Sequence, residues 1–110
     1  MTAKNRSWFS QNRYLMAKYK LSNTAKEDLI KIHHFGVKKF GMTQADKYFE
    51  SFFDYFEIIA ERPFSFESVD FIKTDHRRCP CGSDNMYYRV NNDIVEIISI
   101  IGRQDLKNIL

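Results

Sequence analysis

The chain predicts an α+β fold: a short N-terminal strand, an antiparallel helical hairpin, then a three-stranded antiparallel sheet, in the order β-α-α-β-β-β. Three observations carry this. Two segments with apolar residues at helical spacing are joined by almost nothing, so the helices fold back on each other. Two runs rich in β-branched and aromatic residues, 86–90 and 94–103, flank Asn91-Asn92-Asp93. Asn and Asp tolerate the left-handed backbone of a tight hairpin turn, here read as three residues long. A basic run, Arg77-Arg78-Cys79-Pro80-Cys81-Gly82-Ser83, supplies the strand before that hairpin.

The elements follow in order. Tyr19-Lys20-Leu21 alternates and stops at Ser22, which marks a short first strand. The first helix opens at Ser22, or at Thr24 with Glu27 three residues on as a capping box. Its apolar stripe is Leu29, Ile32, His33, Gly36 and Phe40, and Gly41 is placed for a left-handed C-cap. Thr43 opens the second helix, where Ala45, Tyr48, Phe49, Phe52, Phe56, Ile59 and Ala60 recur at helical spacing until Pro63. Helical spacing is what core residues show, so Phe52, Phe53 and Phe56 read first as core. Asp46, Glu50, Asp54, Glu57 and Glu61 read as a solvated face. Residues 63–76 form a loop in which 69–72 has the makings of a helical turn or a strand segment.

One domain accommodates 110 residues, of which 44% are hydrophobic and 15% aromatic. No apolar run approaches the roughly 18 residues of a membrane helix, and no uninterrupted apolar leader is present, so a soluble cytoplasmic protein is expected. Of the 17 Lys and Arg, three (Lys4, Arg6, Arg13) fall in the first 16 residues, which carry no acid; the other 14 face 14 Asp and Glu. The body is therefore neutral, and anion binding has to come from a local cluster. Residues 1–16 read as a basic N-terminal extension or a mis-assigned start, or else as an arm with Trp8 and Phe9 docked on the core. Residues 17–110 read as the single domain.

Cys79 and Cys81 share one strand face at a spacing that strains a mutual disulfide, so they read as reduced, packed thiols. With His33 and His34 they make a poor zinc set, since Cys-x-Cys across a proline lacks the usual knuckle spacing.

A family resemblance emerges from ordered pieces. Leu21-Ser22-x-x-Ala25-x-x-Asp28-Leu29, the Phe40-Gly41 helix end, Ala45-x-x-Tyr48, Arg62-Pro63, Arg77-Arg78 to Gly82-Ser83, Tyr88-Arg89-Val90, and Ile97 to Gly102-Arg103-x-Asp105 together resemble the ParE branch of the ParE/RelE toxin superfamily over residues 18–106. The order and spacing carry the likeness, not any single piece. Two positions depart from it: Asp84 stands where the family often has His after Gly-Ser, and Phe64-Ser65-Phe66 replaces the usual Gly/Arg-rich loop. The resemblance implies the toxin of a two-gene toxin–antitoxin module, held in a hetero-oligomer by a ParD-like antitoxin whose disordered C-terminal segment folds onto it. It also implies DNA gyrase as the target, with no cofactor, metal or small-molecule substrate.

The superfamily's other class, RelE-like ribosome-dependent mRNA endoribonucleases, is the alternative. Cleavage at a 2′-hydroxyl needs a base, a cation for the phosphorane and an acid for the leaving oxygen. After Ile101 the chain has no Tyr, His or Glu, which leaves His76 as the nearest proton shuttle to the arginines. Inhibition without chemistry is therefore favoured. A single helical layer on a small sheet leaves a groove or face uncovered for a disordered partner to fill. The expected antitoxin-binding residues are Phe35, Lys39, Tyr48, Phe52 and Tyr55. Target binding is expected from Arg77, Arg78, Arg103 and Lys107, with Arg89 either a further contact or a structural salt-bridge arm.

Overall fold

A computed structural model describes residues 18–102; the N-terminal extension, Arg103 and Lys107 fall outside the described residues. The elements are β1 (Tyr19–Leu21), α1 (Asn23–Phe40), α2 (Met42–Glu61), β2 (Glu67–Ser68), β3 (Arg77–Cys81), β4 (Asp84–Asn91) and β5 (Ile94–Gly102). They form one five-stranded sheet ordered β1-β5-β4-β3-β2, with the helical hairpin on one face.

The three antiparallel strands expected at the C-terminus are β3, β4 and β5. Two strands enlarge the sheet beyond them. β1 adds to β5 in parallel, Tyr19 opposite Val95, so the sheet is mixed. β2 adds two residues to the other edge, where Glu67 lies opposite Arg78. A two-residue strand has no readable periodicity, which is why the 63–76 segment reads as loop. Within that loop Val69 is buried and His76, Ile72 and Lys73 close a tight turn onto it.

Local chemistry explains the junctions. Ser22, not Thr24, caps α1: its Oγ accepts the Ala25 N–H at 2.9 Å. Gly41 alone joins the helices: its positive φ of 92°, with ψ 164°, is a backbone that residues with a side chain rarely adopt, and it serves both as C-cap of α1 and N-cap of α2. The hairpin turn is two residues, not three: Asn91 pairs with Ile94, and Asn92 and Asp93 both take positive φ, 53° and 67°.

The core lies between hairpin and sheet. Ala25 and Leu29 from α1 and Phe52, Phe53, Phe56 and Ile59 from α2 meet Cys79, Cys81, Met86, Tyr88, Val95, Ile97 and Ile100. Each large apolar side chain removed from water contributes about 1.5–3 kcal/mol. The Tyr88 hydroxyl escapes an unmet polar burial by donating to the Pro63 carbonyl at 2.6 Å, which also pins the end of α2 to the sheet. No helix among the described residues is long and apolar enough to cross a membrane.

Candidate binding groove

The second half of β5 outruns its parallel neighbour. β1 stops opposite Ile97, and the β4 register slips there, so that Tyr87 faces Ser99 while Tyr88 faces Ile97. The residue left over, Ile98, is a β-bulge that bends β5. Its carbonyl would lack a partner, and the Ser22 hydroxyl donates to it at 2.7 Å. Two residues further on, the Ile100 N–H donates to Asp28 Oδ2 at 2.9 Å. Two polar side chains of the α1 region thus replace the missing strand and tie α1 to this end of β5.

Across the gap, Tyr48 reaches from α2 to the β3–β4 turn. Its hydroxyl donates to Asp84 Oδ2 at 2.6 Å and lies 2.9 Å from the Cys81 carbonyl oxygen. Burial, reinforced by the Asp84 hydrogen bond, pushes the Tyr48 phenol above its ordinary value, so it remains a neutral donor. The turn must let the ring in: a Cβ on Gly82 would sit 2.5 Å from Tyr48 Cε1, and Gly82 itself has φ 60°.

Between these supports lies an open groove of about 900 Å³. Its apolar wall includes Ile32, Phe35, Phe40, Tyr48 and Ile100; its polar lining includes Asp28, Asp84, Lys31 and Lys47. Phe35 and Phe40 are 61% and 62% exposed. Burial pushes the Asp28 carboxyl above the ordinary carboxylate value, with Glu27 and Asp84 adding repulsion against the lowering from the Ile100 N–H and Lys31.

Of the residues expected to bind a partner, Phe35 and Tyr48 line this groove. Lys39 stands at its margin, its ammonium 5.5 Å from the Phe35 ring centre and 5.7 Å from that of Phe40. Phe52 does not line it: the side chain is fully buried and supports the Tyr48 ring from behind, edge-to-face at 5.0 Å. Tyr55 is half-buried against the core, away from the lining. Sequence reasoning missed Phe40, which sits on α1's apolar stripe and reads as core, and it missed Asp28 and Asp84. The signal for Asp28 was a carboxylate placed directly before the buried Leu29 of a helix; for Asp84, an acid closing a Gly-Ser turn.

Of the basic residues expected to bind the target, Arg77, Arg78 and Arg89 lie among the described residues. Arg77 and Arg78 are consecutive on β3 and point to opposite faces. Arg77 Nη1 donates to the Phe66 carbonyl at 2.7 Å and its guanidinium stacks 5.1 Å from the Phe64 ring centre. Arg78 forms a two-pronged pair with Glu67, at 3.2 and 2.8 Å. Arg89 is a structural arm in part: its Nε donates to Glu96 Oε1 at 2.7 Å, and Lys20 approaches the other oxygen at 3.1 Å. Arg89 first and Lys20 second hold the Glu96 carboxyl down to about 2. Arg77 lies opposite Tyr88, whereas Gly102, which precedes Arg103, lies opposite Asp84. Those positions are about 13 Å apart along β4.

Among the described residues no group of three or more His, Cys, Asp or Glu is placed to hold a metal ion. His76 is buried, with Nδ1 2.9 Å from the Thr74 carbonyl oxygen. His33 contacts Asp46 at 2.8 Å and the Phe49 ring, joining α1 to α2. Cys79 and Cys81 are free thiols in the core, and burial pushes Cys79 up to about 12.

Residues 19–106 match the family model described as the ParE toxin of the type II toxin–antitoxin system parDE. The chain is similar to Toxin ParE1 of Caulobacter vibrioides, with 35% identity over 86 residues that span 78% of this chain and 88% of the relative. Its fold is similar to a solved chain of the chromosomal ParDE TA system from P. aeruginosa, with a TM-score of 0.70 and 17% identity, covering 79% of this chain and 96% of the other.

Proposed function

This chain belongs to the ParE toxin family of type II toxin–antitoxin systems, and we propose that a ParD-like antitoxin silences it by laying an apolar C-terminal segment into the groove between the helical hairpin and the end of β5. The observation that carries this reading is the line of exposed aromatic surface, Phe35 and Phe40, continuous with Tyr48 and Ile100 along one open channel. Exposed apolar surface of that extent is costly in water and marks a partner site. A disordered segment that folds on binding suits an open channel better than a rigid partner does. The test is co-expression with the ParD-like product of the adjacent reading frame. A stable complex with a Kd in the micromolar range or below, about −8 kcal/mol or better, is expected, together with rescue of growth.

For toxicity we propose inhibition of DNA gyrase in the cytoplasm, without catalysis by this chain. Arg77, Arg78 and Arg89 are each committed to an intramolecular acceptor, so we assign the leading target contacts to Arg103 and Lys107, which follow the groove-lining Gly102. Purified protein is expected to block supercoiling by gyrase or to trap cleaved DNA. The alternative, ribosome-dependent mRNA cleavage, has His76 as its candidate proton shuttle. Burial of His76 and the engagement of its Nδ1 with a backbone carbonyl argue against that role. Rapid loss of translated mRNA on induction, with cuts inside A-site codons, would decide for the alternative.

A further inference from the structure

The groove is not purely apolar, and its two acids constrain what fills it. Asp28 and Asp84 line the same channel, one on α1 and one at the start of β4. Each is half-buried and each has one oxygen already engaged, Asp28 Oδ2 by the Ile100 N–H and Asp84 Oδ2 by the Tyr48 hydroxyl. The second oxygen of each has no hydrogen-bond or ion-pair partner among the described residues. Their engaged oxygens fix their positions, unlike Lys31 and Lys47, which are exposed at the rim on long flexible stems.

A wholly apolar segment laid over this channel would strip water from two carboxylates and give nothing back, and a buried unpaired charge is among the most costly groups in a protein. Arginine resolves the conflict: its planar guanidinium carries donors on several edges, enough to meet two carboxylate oxygens at once, while its stem packs on aromatic faces such as Phe35 and Tyr48. We propose that the antitoxin segment carries a single arginine among its apolar anchors, and that its guanidinium docks between Asp28 and Asp84, with Lys31 and Lys47 receiving acidic residues on either flank. This rests on the reading of the groove as the antitoxin site.

The test uses the full chain and the C-terminal peptide of the ParD-like protein encoded beside it. Asp28→Asn and Asp84→Asn keep an acceptor oxygen for Ile100 N–H and for Tyr48 and remove only the charge. Each is expected to weaken the peptide about tenfold with its melting temperature held, and the double variant more than either. Replacing the peptide arginine by neutral citrulline is expected to weaken binding to the wild-type chain and to change little in binding to the double Asn variant; that non-additivity identifies the contact. Equal affinity of the peptide for wild type and double variant, or of the arginine and citrulline peptides for wild type, overturns the arginine and leaves the groove reading standing. Affinity that rises as the pH is lowered shows that Asp28 takes up a proton in place of a partner cation, which also overturns it. Failure of the unmodified peptide to bind at all, or a sedimenting dimer of this chain that the peptide does not dissociate, removes the groove reading and the arginine with it.

Discussion

Replacing Gly82 by Ala tests the construction of the groove floor. The substitution meets two obstacles. The backbone at φ 60° is left-handed, a conformation that costs a side-chain-bearing residue about 1 kcal/mol. The new Cβ also falls 2.5 Å from Tyr48 Cε1 and 2.7 Å from its hydroxyl, so the ring has to retreat by roughly 1 Å to reach ordinary van der Waals contact. The Phe52 ring behind it, fully buried, limits that retreat. Displacing the hydroxyl breaks its bond to a carboxylate, worth about 1.5–3 kcal/mol. The total is about 2.5–4 kcal/mol, or roughly 10–30 °C in melting temperature for a domain of this size. Urea unfolding followed by circular dichroism measures the loss. In a Tyr48→Ala background the clash is gone, and Gly82→Ala should then cost only the backbone part, about 1 kcal/mol. The same cost in both backgrounds, or a loss below about 0.5 kcal/mol in the first, would refute the proposed contact between turn and ring.

Phe35→Ala and Phe40→Ala, at exposed positions, should shift folding stability by less than about 0.5 kcal/mol in denaturant titrations while weakening the antitoxin complex at least about tenfold by calorimetry. Glu96 contributes stability that is present above its ordinary value of 4.5 and is lost as pH falls towards about 2, because its folded-state value is depressed. Urea midpoints of wild type and Glu96→Gln should therefore converge across that acidic window. Cys79, held up to about 12 by burial, should resist thiol reagents in the native protein and react on unfolding. Arg103→Ala with Lys107→Ala should abolish growth inhibition at matched expression and leave antitoxin affinity within about tenfold, whereas Arg77→Ala should lower the melting temperature, since its guanidinium ties β3 to the Phe66 carbonyl.

Strong local signals made most of the fold legible. Helical periodicity placed Leu29, Phe52, Phe56 and Ile59 in the core, and the Asn-Asp turn placed β4 against β5. The parallel pairing of β1 with β5 joins residues more than seventy positions apart, and no local pattern encodes such a partnership. The groove was harder to read for the same reason. Phe40 and Phe52 are indistinguishable as aromatic members of apolar stripes, yet one is 62% exposed and the other fully buried. What separates them is their place in the assembled fold: Phe40 ends α1 beside the open groove, whereas Phe52 lies within α2 against the core. The basic run was legible only in part: Arg77 and Arg78, adjacent on β3, face opposite ways, and Arg77 pairs opposite Tyr88 in the middle of β4 while Gly102 pairs opposite Asp84 at its start.

Hydrogen–deuterium exchange of the full chain, with and without the ParD-like protein of the adjacent reading frame, tests the central claim most directly. Protection on complex formation is expected in peptides covering residues 28–48 and 82–102, which bound the groove, with residues 63–78 unchanged. Protection confined to 63–78 and the outer sheet face around Arg78 and Arg89, with the groove peptides exchanging as in the free chain, would contradict the account.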